Sequence, residues 1–270
     1  MESSKNRFFD ICSNLSKYKE EKLKISRNGF YRFNKNEFEK EHILPKEDIE
    51  KNLLDSDYSQ ALKSYFNEIK SRNKIHRYFH HLNSSQALTL NLFVPIIEEK
   101  LYQIIIKNEK KIVKKSFEYI EDSSFETSYK TNFDFFFQTE NEKYFFEVKY
   151  TEKKFGSAEI DRSHIKKFNK EYKNVLDAVC LSSINENEFL NNYQLWRNIC
   201  YSIYGQVYFV IPLFRTDLRK QIEEAVTKLK NNYKEKIHIF IIDDFVSELI
   251  NSNNVKLSNH YKEFRKKYLL

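Results

Sequence analysis

An α/β or α+β fold, with a central mixed sheet flanked by helices, is what the order of periodicities along the 270 residues predicts. Three observations carry this. Apolar residues recur at helical spacing from Ser84 or Ser85 to about Lys107, through Leu90, Phe93, Val94, Ile97, Leu101, Ile104 and Ile105. The period then shortens to two in three aromatic, β-branched segments, 116–120, 132–138 and 143–150. Beyond them, helical patterns alternate with the apolar runs QVYFVIPL (206–213) and IHIFII (237–242), as buried strands between helices require.

Each element has its local reason. Upstream, Lys22–Ile25, Arg27-Asn28-Gly29 and Phe30–Phe33 predict a hairpin turning at Asn28-Gly29. Leu62, Tyr65, Phe66, Ile69 and Tyr78 predict one helix from about Asp57 to Leu82. Ser84 or Ser85 can cap the next helix, within which Pro95 is a potential kink. Thr139-Glu140-Asn141-Glu142 suits a hairpin loop, and helices are predicted at 163–172, 186–204, 216–233 and 258–269. We divide the chain into an N-terminal accessory region, 1–82, and a core domain, 83–270.

Composition narrows the function classes. With 40% hydrophobic and 16% aromatic residues the chain can bury a core, and three Gly and three Pro exclude collagen-like or low-complexity classes. The glycines are isolated, so no phosphate-binding glycine loop exists. Three widely spaced cysteines, none in a CxxC pair, argue against disulfide scaffolding or a thiolate zinc site. No apolar leader or membrane-length run is present, and a cytoplasmic location with no membrane partner is expected. The net charge of +7 points weakly to a polyanion.

The chemistry concentrates in NFDFFFQTENEKYFFEVKYTEKK, 132–154. Glu147 and Lys149 are two apart on a strand and share a face, opposite Tyr144, Phe146, Val148 and Tyr150. On the preceding strand Asp134 shares a face with Phe136 and Gln138, while Phe133, Phe135 and Phe137 face the other way. Pairing the two strands brings Asp134 to Glu147 and Lys149. Two converging carboxylates suit Mg²⁺, with Mn²⁺ as a substitute, and a neighbouring ammonium can orient or deprotonate a water attacking a phosphate. Seven Glu-x-Lys matches occur in a chain that is 31% charged, so the motif alone carries nothing. Only Glu147 lies in an aromatic strand behind an Asp-bearing one.

Asp134, twelve residues, then Glu147-Val148-Lys149 resembles the PD-(D/E)xK nuclease superfamily, the restriction-endonuclease-like fold, over about Ser85 to Leu213. Phe133 stands where many members carry proline. The segments 81–96 and 193–199 are similar to bacterial members of unassigned specificity. The resemblance implies metal ligation by Asp134 and Glu147 and a catalytic Lys149. It also implies an extra acid on the first helix, where Glu98 faces the apolar stripe better than Glu99 does. Gln194, which shares a helix face with Arg197, corresponds to a glutamine that supports the metal or contacts phosphate in some members.

The stretch 143–173 holds nine basic and five acidic residues, and its Lys153, Lys154, Arg162, Lys166 and Lys167 flank the proposed site. With Gln194 and Arg197 they are the expected nucleic-acid contacts. Basic runs at 107–115 and 256–267 are weaker candidates. His76 and His80, at i and i+4, lack a third ligand for zinc. These features lead to a Mg²⁺-dependent DNA endonuclease of restriction or DNA defence, acting on double-stranded DNA. A homodimer is expected, because cutting both strands takes two active sites. The competing readings are a non-catalytic nucleic-acid-binding module and a nuclease acting on RNA.

Overall fold

The computed structural model describes residues 4–106, 111–122 and 124–269, with the side chains of 4–6 left aside. Part of the basic run 107–115, and the end of the helix predicted to reach Lys107, lie outside the described residues. The chain forms two compact units, residues 1–109 with 212–214 and 241–270, and residues 110–211 with 215–240. The helix predicted over 84–107 lies in the first unit up to Ile106.

That helix, Ser85–Glu98, is buried on every side from Gln86 to Ile97 and packs on helices Ser59–Ser71 and Val255–Tyr268. Ser84 caps it by accepting the Ala87 N–H. Pro95 lacks the N–H that would bond the Asn91 carbonyl. His260 Nε2 takes that carbonyl instead at 2.7 Å, while the Ser56 hydroxyl lies 2.8 Å from Nδ1. Burial lowers the His260 pKa to about 4, so the ring is neutral. Asn91 itself binds Leu54 N, Asn52 O and the Tyr268 hydroxyl at 2.8, 3.0 and 2.9 Å. One polar residue in an apolar run thus ties three segments together.

Two predictions for this unit need correction. The hairpin is β1 (Gly29–Phe33) with β2 (Asn36–Lys40), turning at Asn34-Lys35 with Asn34 at φ 55°. Asn28-Gly29 is no turn: the Asn28 side chain accepts the buried Lys19 ammonium, and Gly29 opens β1. A Cβ on Gly29 would lie 2.1 Å from the Leu44 carbonyl oxygen, so close approach explains the glycine. The helix predicted over 57–82 stops at Ser71, where Asn73 turns left-handed at φ 54°. The irregular chain beyond is bonded by Gln86, which accepts from His76 N at 2.8 Å and donates to Lys74 O at 2.9 Å. His76 and His80 therefore never share a helix face. The C-terminal basic helix also buries an amine whose pKa burial lowers well below the usual lysine value: Lys267 Nζ donates to Asn52 O at 2.5 Å and Oδ1 at 2.6 Å, 4.7 Å from the Tyr268 ring centre.

The second unit carries the sheet, in the order β3 (Ile112–Ile120), β4 (Asn132–Thr139), β5 (Lys143–Val148), β6 (Gln206–Ile211), β7 (Ile237–Ile241). β3, β4 and β5 form the antiparallel meander read from the sequence, and β6 adds parallel to β5, making the sheet mixed. One face is an aromatic stack, with Phe117 on Phe135 at 4.9 Å, Phe135 on Phe146 at 5.4 Å and Phe146 on Tyr208 at 4.8 Å. The other gathers Phe133, Phe136 and Phe145, with Phe145 4.9 Å from Phe133 and 5.2 Å from Phe136. Phe133 therefore does not face with Phe135 and Phe137, contrary to strict alternation. Alternation fails in one row across both strands, where β3 passes through Glu118 at φ 52° opposite Asp134. The helix predicted at 163–172 runs on through a π-turn to Val179, and 186–204 breaks at Asn192 into Glu186–Asn191 and Tyr193–Cys200. Among the described residues no helix is long and apolar enough to cross a membrane.

Candidate active site

The β4–β5 register sets the site. Phe135 pairs with Phe146, so the next row places Asp134 opposite Glu147. Asp134 Oδ2 accepts the Val148 N–H at 2.7 Å, joining the strands where their regular pairing ends. Lys149 N continues the parallel ladder by donating to Val210 O at 2.9 Å, so the backbone under the lysine is held on both sides. Its ammonium lies 2.7 Å from Glu147 Oε1. Gln194 Nε2 donates to the same oxygen at 2.6 Å. The break at Asn192 starts a new helix whose first turn presents Gln194, and Gly156, left-handed at φ 44°, lets the loop after β5 pass over it.

Burial makes these charges consequential. Glu147 and Lys149 are 2% and 7% exposed, and Asp134 is half-buried. Glu147 Oε2 is buried without a hydrogen-bond partner. A carboxyl oxygen left without a partner inside a protein is costly, and here it lies in the row of a second carboxylate, where a ligand would satisfy it. Burial, then the Glu147 and Glu118 carboxylates, push the Asp134 pKa well above the usual carboxylate range, and Lys149 and the Val148 N–H offset this only in part. Burial works against the Lys149 charge, but Glu147, Glu152 and Asp134 outweigh it and hold the ammonium above its ordinary pKa. The site therefore holds clustered carboxylates beside a lysine that stays charged.

Glu118 escaped the sequence reading. Phe117–Phe135 and Tyr119–Phe133 pairing puts it in the row of Asp134, and it accepts a hydrogen bond from Asn132 Nδ2. The available signal was its place on the strand paired with Asp134, but strict alternation does not reveal the flipped backbone. Among the described residues no three His, Cys, Asp or Glu side chains gather closely enough to chelate a metal by themselves. The donor set is two carboxylates, and Mg²⁺ commonly binds one or two, completing its octahedron with water and substrate phosphate.

The other expected residues fall in different places. Lys153, Lys154, Arg162 and Lys166 are exposed and have no carboxylate partner among the described residues. Arg197 is engaged, 3.0 Å from Glu126 Oε1 and 2.8 Å from Tyr129 O. Glu98 is exposed at the end of Ser85–Glu98 in the first unit, lining a cleft with Asp57, Glu99 and Lys256. Glu99 accepts from the Tyr58 hydroxyl at 2.7 Å and Asn254 Nδ2 at 2.9 Å.

No curated protein and no solved structure matches the chain. A family profile does, over residues 13–269, and its description is "Restriction Endonuclease associating with ARP". With nearly the whole chain matched, and a charged cluster of Asp134, Glu147 and Lys149 on its sheet, the protein belongs to this restriction endonuclease family, REase-ARP.

Proposed function

We propose that this chain is a divalent-metal-dependent DNA endonuclease of the PD-(D/E)xK type, acting on double-stranded DNA in restriction or another form of DNA defence. The observation that carries the reading is the bare Oε2 of Glu147, a residue that lies in the row of a second carboxylate whose proton affinity is raised. That is an all-oxygen donor pair short of positive charge, which Mg²⁺ or Mn²⁺ fits. Asp134 and Glu147 would hold the ion. Once bound, it supplies a water of lowered pKa and neutralises charge on the scissile phosphate.

The side chains divide the remaining work. Gln194 and Lys149 fix Glu147 Oε1 and leave Oε2 for the ion. Lys149 has two further N–H bonds to give. Because it stays protonated, it orients the attacking water and stabilises charge on the phosphate rather than removing a proton. Lys153, Lys154, Arg162 and Lys166 offer unpaired cations to the phosphate backbone. Glu118 is close enough to Asp134 to raise its proton affinity further, outside the donor pair.

The Asp134→Asn protein tests the metal pair without any substrate. A raised folded pKa means folded Asp134 binds a proton that the unfolded residue, near pKa 3.9, has lost. Stability therefore falls as pH rises from the unfolded value through the folded one. Metal-free Asp134→Asn is expected to melt above the parent at neutral pH. Adding Mg²⁺ is expected to raise the parent's Tm, by about 2.7 kcal/mol of stability at a hundred times Kd, and to leave the variant nearly unmoved. A parent that neither Mg²⁺ nor Mn²⁺ stabilises would contradict the reading and favour a binding module without catalysis.

A further inference from the structure

The loop between β3 and β4 presents a side chain that the proposed chemistry does not use. Tyr129 is 91% exposed, and its backbone is left-handed at φ 47°. Bulky residues rarely adopt that conformation unless the surroundings impose it. Here the surroundings do. The Tyr129 carbonyl accepts from Arg197 Nη2 at 2.8 Å and from Lys167 Nζ at 3.0 Å. The loop is anchored from beneath by Glu126, 1% exposed, which accepts from Thr131 N at 2.5 Å, Thr131 Oγ1 at 2.9 Å and the Tyr201 hydroxyl at 2.6 Å. The Tyr172 hydroxyl donates to it as well. A lone exposed tyrosine is ordinary. One whose carbonyl is held by two cations, over a buried carboxylate with a full set of donors, is a ring carried into solvent on an anchored backbone.

Its position gives the ring a partner. The helix Tyr193–Cys200 reaches the proposed metal ligand through Gln194 and the Tyr129 carbonyl through Arg197. Those residues are three apart, about 4.5 Å along the helix axis. The helix Arg162–Lys167 supplies the second clamp, Lys167, and also carries the exposed, unpaired Arg162 and Lys166. The loop that carries Tyr129 and the proposed metal ligand are thus bonded to one and the same helix, and the second clamp comes from a helix with two free cations. That charge suits a polyanion and not an acid-poor protein surface.

We propose that Tyr129 is a nucleobase-contacting residue, its ring stacking on a base that unstacks from the bound duplex. The inference rests on the DNA reading above. Stacking on an aromatic ring tolerates any base, because every base offers a π face. Tyr129 would therefore contribute affinity and strand placement more than sequence choice.

The test uses the full-length protein with a short mixed-sequence duplex carrying 2-aminopurine, Ca²⁺ replacing Mg²⁺ to hold back cleavage. Anisotropy and 2-aminopurine emission are followed for the parent, Tyr129→Ala, Tyr129→Phe and a Lys153→Ala/Lys154→Ala protein. Tyr129→Ala is expected to bind about five- to a hundredfold more weakly, with the parent's salt slope and a changed emission. Tyr129→Phe is expected to bind as the parent does, and the lysine double variant to lose salt slope. If the parent binds and Tyr129→Ala matches it in affinity and emission, the inference is overturned while the DNA reading stands. If Tyr129→Phe loses as much as Tyr129→Ala, the hydroxyl makes the contact and stacking is wrong. A parent that binds no duplex at low salt overturns both. Melting curves for all four proteins separate these results from misfolding, which the exposure of Tyr129 makes an insensitive concern.

Discussion

Lys149→Met protein is expected to cleave DNA about two to three orders of magnitude more slowly than the parent, while still binding its metal. Methionine keeps much of the buried stem and removes only the ammonium. What is lost is the positive charge 2.7 Å from Glu147 Oε1, together with the donors it would turn toward water and phosphate. The same change strips the buried Glu147 and the half-buried Asp134 of their cation. Breaking a buried pair from one side typically costs about 3–5 kcal/mol, and the metal-free variant should lose stability on that scale. Saturating Mg²⁺ should return part of it, because the ion supplies charge where the lysine stood. Single-turnover cleavage and melting curves with and without Mg²⁺ check both halves. Cleavage at the parental rate would remove Lys149 from the mechanism.

Glu126→Ala protein is expected to lose about 3–5 kcal/mol, or roughly 6–20 °C in Tm. Burial alone would raise the Glu126 pKa, but Arg197, the Thr131 N–H and the Tyr172 and Tyr201 hydroxyls outweigh it and hold the carboxylate ionised. Removing it leaves the Arg197 charge and two buried tyrosine hydroxyls without their acceptor. Glu126→Gln keeps an acceptor and should lose less. Because the folded pKa lies below the unfolded one, the contribution is present at neutral pH and is lost as pH falls through the folded value. The gap between parent and alanine variant should therefore narrow in acid. Melting of Glu126→Ala together with the parent at neutral pH would show that the network adds nothing.

How much of this was legible depended on whether the information was local. The meander was readable because period-two aromatics and a four-residue loop fix register without help from the rest of the chain. The same register brings Asp134, Glu147 and Lys149 together, so a motif seven times repeated could be reduced to one. Gln194 was reached through resemblance, and its bond to Glu147 depends on the break at Asn192, which nothing in its neighbours announces. Glu118 was hidden because its own left-handed backbone breaks the alternation from which faces are read on β3, and the face of Phe133 departs from alternation on β4 with no residue pattern to announce it. Asn28-Gly29 misled for a tertiary reason: the glycine serves the close approach of Leu44, not a turn. The Arg197 partner lies 71 positions away in sequence, and its bond to Glu126 has no sequence signature.

The central claim is that Glu147 and its neighbours cut DNA with a bound divalent ion, and one assay meets it directly. Supercoiled plasmid is incubated with parent and Glu147→Ala protein in Mg²⁺ and in excess chelator, both proteins being shown to melt cooperatively. The account predicts nicked or linear product from the parent in Mg²⁺ alone, and none from the variant or in chelator. Equal cleavage by both proteins, or cleavage by the parent that survives the chelator, would contradict it.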